Sequence, residues 1–109
     1  MEFGMIPTNF VRAVKISNQS NSNVVVKAYF KSGINVNYNL PVSNTIDIEK
    51  GIEQDSYTAD PILRIEAKNH SGLIQSIEFY PKGIEIHEYN LVEIENKLLF
   101  ERTEKYQNL

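Results

Sequence analysis

Apolar and polar residues alternate along most of the chain from Phe10 onward. A two-residue period places alternate side chains on opposite faces of a sheet, so it predicts β-strands. The clearest examples are the segments 24–30 and 34–40, which are separated by Ser32-Gly33. Because Gly33 can adopt the positive φ of a tight turn, these two segments are predicted to form a hairpin. The Asn residues of the second segment then occupy a face that meets solvent or a polar partner.

The second half of the chain continues the same pattern less regularly. Leu63, Ile65 and Ala67 alternate with charged residues, the turn at 69–72 predicts a second hairpin, and Leu73, Ile77 and Phe79 share one face of its other strand. The C-terminal residues favour strands with an Asn96-Lys97 turn. A helix over 90–104 is the alternative, since Leu91, Ile94 and Leu98 also fall at helical spacing.

Seven or more short strands with regular turn signals predict an all-β fold, an antiparallel β-sandwich rather than a small barrel, with a short C-terminal helix as the alternative ending. The predicted sandwich domain spans 10–102. Residues 1–9 are interpreted as a flexible N-terminus, in which 1–4 are a cloning remnant or a native end, and 103–109 as a C-terminal tail. Two sheets would bury a shared core of Val14, Ile16, Val26, Phe30, Val36, Ile46, Ile65, Ile77 and Phe79.

Composition supports one globular domain, because 109 residues with 41% hydrophobic and 23% charged content can bury a core. The net charge of -3 disfavours a general nucleic-acid binder. No apolar run is long enough to span a bilayer and no signal peptide is recognised, so we expect a cytoplasmic protein that binds no membrane. Cysteine is absent, which removes disulfides, thiolate metal sites and cysteine nucleophiles.

The layout resembles the β-domain of the von Hippel-Lindau protein. The features that carry this resemblance are Val14-Lys15-Ile16-Ser17-Asn18-Gln19-Ser20 as a strand entering an Asn-x-Ser loop, Val24 to Phe30 followed by Gly33, and Leu40-Pro41. The resemblance implies an adaptor that receives a peptide strand along one sheet. It transfers no functional residue, because the chain lacks Trp, a His matching the family's hydroxyproline pocket and a Cys-containing helical box. Transthyretin-like and immunoglobulin-like sandwiches fit nearly as well.

The sequence contains no specific catalytic or metal-binding pattern. His70 and His87 are the two histidines, and the flanking Glu85 and Glu88 give no recognised ligand spacing, so both histidines are predicted to lie on the surface. No Gly-x-Ser-x-Gly motif supports a hydrolase triad. We therefore predict no enzyme activity, no cofactor, and no catalytic, cofactor-binding or metal residues.

An acidic cluster is the best candidate for a calcium site. It surrounds the irregular stretch 52–61 and comprises Asp47, Glu49, Glu53, Asp55 and Asp60. Calcium requires several convergent oxygen ligands, for which Asp47, Asp55 and Asp60 are the first candidates. Solvated carboxylates at loop ends are the preferred explanation, because the spacing does not match an EF-hand.

Three further patterns have ordinary explanations. The glycosylation sequons at Asn18 and Asn69 are predicted to be incidental, and phosphate-binding glycine loops are absent. Basic residues on outward strand positions, with Tyr29 among them, would suit an RNA-binding sheet. Such residues also protect strand edges from aggregation, which is the explanation preferred here. The basic residues are Lys15, Lys27, Lys31, Arg64 and Lys68.

Two functional hypotheses follow. The first is a non-enzymatic protein-interaction module that binds a protein partner through a sheet edge or the 52–61 loop. The second is a sandwich that binds calcium or a small ligand through the acidic 47–60 region. A homodimer formed by edge pairing is compatible with both.

Overall fold

The computed structural model of the protein describes residues 9–49 and 60–103. Eight β-strands and no helix occur in this part of the chain. The strands are β1 (Phe10–Asn18), β2 (Val24–Phe30), β3 (Asn35–Leu40), β4 (Thr45–Ile48), β5 (Ile62–Asn69), β6 (Ile74–Glu78), β7 (Ile84–Ile94) and β8 (Lys97–Arg102). The all-β prediction is confirmed. Most of the N-terminal segment, the stretch 52–59 and the tail from 104 lie outside the described residues.

The strands form two four-stranded sheets, which is the layered arrangement expected of a sandwich. The first sheet has the order β4-β1-β7-β8 and the second has the order β3-β2-β5-β6. One core cluster contains inward side chains of both sheets, among them Ile16 and Leu91 of the first and Val26 and Ile65 of the second. The predicted core residues are buried or packed against this cluster.

The first sheet is mixed, so the predicted antiparallel arrangement is wrong for one pair of strands, β1 and β7. β1 pairs with β4 in antiparallel and with β7 in parallel, from Phe10 opposite Ile84 to Asn18 opposite Leu91. Side-chain alternation is the same in both kinds of ladder, so the sequence pattern could not reveal the relative direction of β1 and β7. A register shift between Val11 and Ala13 accompanies the placement of Val11 in the core cluster, and the neighbouring Phe10 is also buried.

The C-terminal residues form a hairpin, so the helical alternative is wrong. β7 and β8 pair from Tyr89 opposite Arg102 to Ile94 opposite Lys97. Their turn is Glu95-Asn96, one residue earlier than predicted, with positive φ at both positions. This is the backbone of a tight primed hairpin turn, which matches the twist of the adjoining strands.

The second sheet contains both predicted hairpins, with Gly33 and Gly72 at positive φ in their turns. One predicted inward residue is placed differently. Leu63 is exposed because the pairing of β2 with β5 shifts by one residue, so Ile62 faces the core opposite Phe30. Such bulges insert an unpaired residue and break the simple alternation.

Candidate interaction site

β3 is an outer strand of the second sheet, and β2 is its partner. The backbone N–H of Phe30 donates to the carbonyl of Ile34 at 3.0 Å, which fixes the hydrogen-bond phase of this ladder. Because hydrogen-bonded pairs recur at every second residue, the backbone groups of Val36 and Tyr38 face β2. Those of Asn35, Asn37 and Asn39 face the opposite side. In the described part of the chain, no strand pairs with that side.

The chemistry of β3 distinguishes it from the other outer strands. Its six residues, Asn-Val-Asn-Tyr-Asn-Leu, include no charge, proline or glycine. The outer strands β4, β6 and β8 each carry charged residues within their bounds. Charges, prolines and bulges are the usual devices that prevent a sheet edge from pairing with another chain. β3 lacks these devices along its whole length.

The outer face of the second sheet beside β3 is polar. The exposed side chains of Asn35, Asn37 and Asn39 form its border, and Lys27 of β2 lies opposite Asn37. Farther across the face, Tyr29 pairs with Arg64 and Lys27 pairs with Glu66. This surface is therefore built mainly from amides and paired charges, with one exposed apolar residue, Val25, opposite Asn39.

Tyr29 is enclosed by partners on this outer face. The Arg64 guanidinium carbon lies 4.0 Å from the Tyr29 ring centroid, and Lys27 Nζ lies 5.6 Å from it. The Tyr29 hydroxyl donates to Glu66 Oε1 at 3.3 Å. Lys15 belongs instead to the first sheet, where it is flanked by Asp47 and Glu88. The predicted basic set is thus divided between two faces and partly neutralised.

His87 is buried, and the prediction of a surface position for it is wrong. Its side chain lies on the inner side of β7, with 6% of its surface exposed. Nδ1 lies 2.8 Å from the Tyr89 hydroxyl and Nε2 lies 2.7 Å from Glu85 Oε1. The Phe79 ring contacts the imidazole edge-on, with a centroid separation of 5.0 Å. His70, in contrast, is exposed as predicted.

The Glu85–His87–Tyr89 cluster follows from strand geometry, since residues two apart on a strand share a face. The hydrogen bond with His87 and that from the Lys82 backbone N–H lower the pKa of Glu85 below its usual range. A carboxylate, an imidazole and a hydroxyl in series are also found in proton-relay sites. His87 and Tyr89 are only 6% and 4% exposed, so the cluster is largely buried beside the core.

The described members of the acidic cluster do not converge. Asp60 is buried, and its carboxylate accepts hydrogen bonds from the Ser32 backbone N–H at 2.9 Å and the Ser32 hydroxyl at 2.7 Å. Asp47 is exposed on β4. Glu53 and Asp55 lie outside the described residues. Within 9–49 and 60–103, no group of three or more His, Asp or Glu side chains could hold a metal ion.

Both sequon asparagines are structural. Asn18 is fully buried, and its Nδ2 donates to the carbonyls of Ser22 and Leu40, each at 2.9 Å. Its Oδ1 accepts from the backbone N–H and the hydroxyl of Ser20. Asn69 Oδ1 accepts from the backbone N–H groups of Ser71 and Leu73. Burial of both amides makes them inaccessible as glycosylation acceptors in the folded protein.

A cleft of about 520 Å³ lies where β2 begins and β3 and β5 end. Lys68 and His70 are its ionisable residues, and Asn39 connects it to the edge of β3. Its full lining is Asn23, Val24, Val25, Asn39, Leu40, Pro41, Lys68, Asn69 and His70. The cleft is mainly apolar and adjoins the Asn39 end of the β3 edge.

Sequence reasoning predicted an interaction through a sheet edge without identifying the strand. The signal was present in the run from Ile34 to Leu40, which contains no charge although every other predicted strand contains one nearby. The His87 cluster also had a signal, because Glu85, His87 and Tyr89 occupy alternate positions. Three polar side chains on one strand face indicate mutual hydrogen bonding where that face is buried.

No family model and no curated protein matches the chain. Among solved structures, the chain is similar to the NMR structure of a protein from Eubacterium rectale, with 17% sequence identity and a TM-score of 0.53. The similarity covers 87% of this chain and 92% of the other. At this identity it shows the two-sheet fold alone. The resemblance to the von Hippel-Lindau β-domain stays a prediction. In the residues that the structure describes, no helix is long and apolar enough to cross a membrane.

Proposed function

We propose that the protein is a non-enzymatic protein-interaction module that accepts an extended segment along the outer edge of β3. The observation that carries this proposal is an outer strand of six uncharged residues whose alternate backbone groups point away from its sheet. A segment added there gains backbone hydrogen bonds, while neighbouring side chains supply selectivity.

The surroundings of β3 favour a polar or mixed segment over a purely apolar one. Asn35, Asn37 and Asn39 offer amide donors and acceptors on the outer face, whereas Val36 and Tyr38 continue the apolar inner face. A partner strand with alternating polar and apolar residues matches both faces. The calcium hypothesis has weaker support, because both carboxylate oxygens of Asp60 already accept hydrogen bonds from Ser32.

A displayed library of random ten-residue peptides tests edge binding without knowledge of the natural partner. The decisive variant is Asn37→Pro, which removes one outward backbone donor but no hydrogen bond to β2. Proline is tolerated on outer strands at such positions. We expect enriched peptides to bind this variant at least about tenfold more weakly. Isotope-edited NMR would show the largest amide shifts on β3 upon peptide addition.

Ser76→Pro is the matched control on the opposite edge of the second sheet. The backbone N–H of Asn69 donates to the Leu73 carbonyl, so the alternation makes Ser76 an outward-facing position of β6. Peptide affinity should be unchanged in this variant. Failure to enrich any peptide, or equal loss of affinity in both proline variants, would contradict binding at β3.

A further inference from the structure

We infer that the segment accepted by β3 is the β3 strand of a second copy of this chain, added in antiparallel with Asn37 on the two-fold axis. This inference rests on the proposed function, since it names the partner for the same edge. It joins two second sheets into one continuous sheet of eight strands, from the four in each copy. The two copies then use the same surface, as two-fold symmetry requires.

The hydrogen-bond phase of β3 suits this symmetric pairing. Placing Asn37 opposite its own copy puts Asn35 opposite Asn39 of the other chain. These are the residues whose backbone groups face outward, so each such pair can exchange two backbone hydrogen bonds. Val36 then lies opposite Tyr38 of the other copy on the inner face. Centring the pair on Asn37 pairs residues 35–39 of the two strands with each other and places Leu40 opposite Ile34, immediately before the strand.

Charge makes β3 the outer strand best suited to meet itself. In an antiparallel pair of identical strands, the residue on the two-fold axis lies opposite its own copy, so a charge at or near the axis is repelled by the same charge of the other chain. β3 contributes no charge to such an interface, and its asparagine amides can both donate and accept. β4 would instead bring Asp47 near its copy, and β6 carries Glu78.

Exposed apolar side chains at both ends of β3 extend the contact. Ile34 is 45% exposed immediately before the strand, and Val42 is 39% exposed two residues beyond it. In the register centred on Asn37, Ile34 lies opposite Leu40 of the other copy and approaches its Val42. Each dimer contains this contact twice, at opposite ends of the paired strands. Burial of these side chains supplies the hydrophobic gain that a strand pair alone lacks.

Molar mass as a function of protein concentration tests the inference directly. Sedimentation equilibrium of the full chain should show a reversible monomer–dimer equilibrium. Asn37→Pro should raise the dimer Kd at least about tenfold, whereas Ser76→Pro should leave it unchanged. A monomer at every concentration up to the millimolar range, or a dimer unaffected by Asn37→Pro, would overturn the inference.

Asn37→Asp is a second test that does not depend on whether the Asn37→Pro variant folds. The new carboxylate lies beside Lys27 within one copy, so the monomer is retained, but two carboxylates meet on the axis of the dimer. We expect dissociation at low ionic strength and partial recovery at high salt, because salt screens exposed like charges. A dimer of unchanged affinity at low salt would contradict the placement of Asn37 on the axis.

The register can be tested by cross-linking, because the natural chain has no cysteine. Paired residues of an antiparallel ladder have Cα atoms about 5.5 Å apart, so Asn37→Cys should be joined to its copy by a short bismaleimide. Asn35→Cys should not, since its copy lies about four residue steps, or 14 Å, along the ladder. Equal cross-linking at both positions would exclude this register.

Peptide binding at the β3 edge and dimerisation through that edge can be tested separately. If displayed peptides require the β3 edge but the chain stays monomeric, the edge-binding function stands and the second copy is the wrong partner. If the chain dimerises through another surface and no peptide requires β3, both proposals are wrong.

Discussion

The two sheets place their polar groups differently. The first sheet places polar side chains on its inner side, with Asn18 at one end of β1 and the Glu85–His87–Tyr89 cluster on β7. The second sheet has an apolar inner face along its central strands and keeps amides and charges on its outer face. The polar residues buried in the first sheet are therefore used within the fold, whereas the second sheet, apart from Asn69 at the end of β5, keeps most of its polar residues on the outer face.

The largest loss of stability is expected when the hydrogen bonds of Asn18 on the inner side of the first sheet are removed. Asn18→Ala leaves the Leu40 carbonyl and the Ser20 backbone N–H without the side-chain partner they have now. Loss of partners at buried groups costs about 1–3 kcal/mol each, so we expect a loss of about 2–4 kcal/mol in unfolding free energy. Urea denaturation followed by circular dichroism measures it. The matched variant Asn69→Ala in the second sheet should lose less unfolding free energy than Asn18→Ala. A larger loss for Asn69→Ala would contradict the difference between the two sheets.

A stabilising change is predicted at the turn between β7 and β8. Glu95 and Asn96 have φ values of 52° and 67°, a conformation that Asn and Gly adopt with less strain. The double variant Glu95→Asn, Asn96→Gly should therefore raise the unfolding free energy by about 0.5–1 kcal/mol. Thermal unfolding would detect the gain. Lys97→Asn, just outside the turn, is the control that should give no comparable increase.

The third prediction concerns acid. Because the native pKa of Glu85 lies below the ordinary value of 4.5, the unfolded state binds more protons between the two values. The contribution of Glu85 is thus present above pH 4.5 and disappears as the pH falls through the lower native pKa. Glu85→Gln keeps an acceptor for His87 but removes the titrating group. In this variant the decrease in unfolding free energy at acid pH should be smaller by less than about 1 kcal/mol, as for partly exposed ion pairs.

Urea midpoints measured from pH 6 to pH 3 would test this acid dependence. Glu66→Gln, on the outer face of the second sheet, provides the comparison. If the urea midpoints of wild type and Glu85→Gln decreased equally between pH 6 and pH 3, the predicted contribution of the Glu85–His87 pair to stability would be contradicted.

The smallest effect on stability is expected at the edge of the second sheet. Asn37→Asp should change the unfolding free energy of the monomer by less than about 0.5 kcal/mol, because the side chain is exposed. Chemical denaturation at a protein concentration too low for association gives this value. A loss comparable to that of Asn18→Ala would mean that the outer asparagines are structural as well.

The sequence pattern was sufficient for the strands and for the hairpins closed at Gly33 and Gly72, because side-chain alternation and turn residues are local properties. It could not give the parallel pairing of β1 with β7 or the exposure of Leu63. Strand direction and bulges depend on partners distant in the sequence. His87 was misplaced for a related reason, since its burial depends on the Phe79 ring packing against it.

Only part of the candidate site could be predicted from the sequence. The absence of charge from Ile34 to Leu40 could be noticed, but the outward direction of the Asn37 backbone depends on which residues pair with β2. The sequons at Asn18 and Asn69 were predicted to be incidental, but the sequence gave no sign that their side chains are hydrogen-bonded within the fold.

The parallel neighbours β1 and β7 come from opposite ends of the chain, so the first sheet cannot close until β7 has left the ribosome. Contacts between such distant segments carry a high entropic cost of closure and slow the folding of small domains. The antiparallel hairpin of β2 and β3, which has short-range contacts, can form much sooner. A nascent chain would therefore display its uncharged edge strand before the rest of the domain exists, and its synthesis is the period of greatest exposure to aggregation.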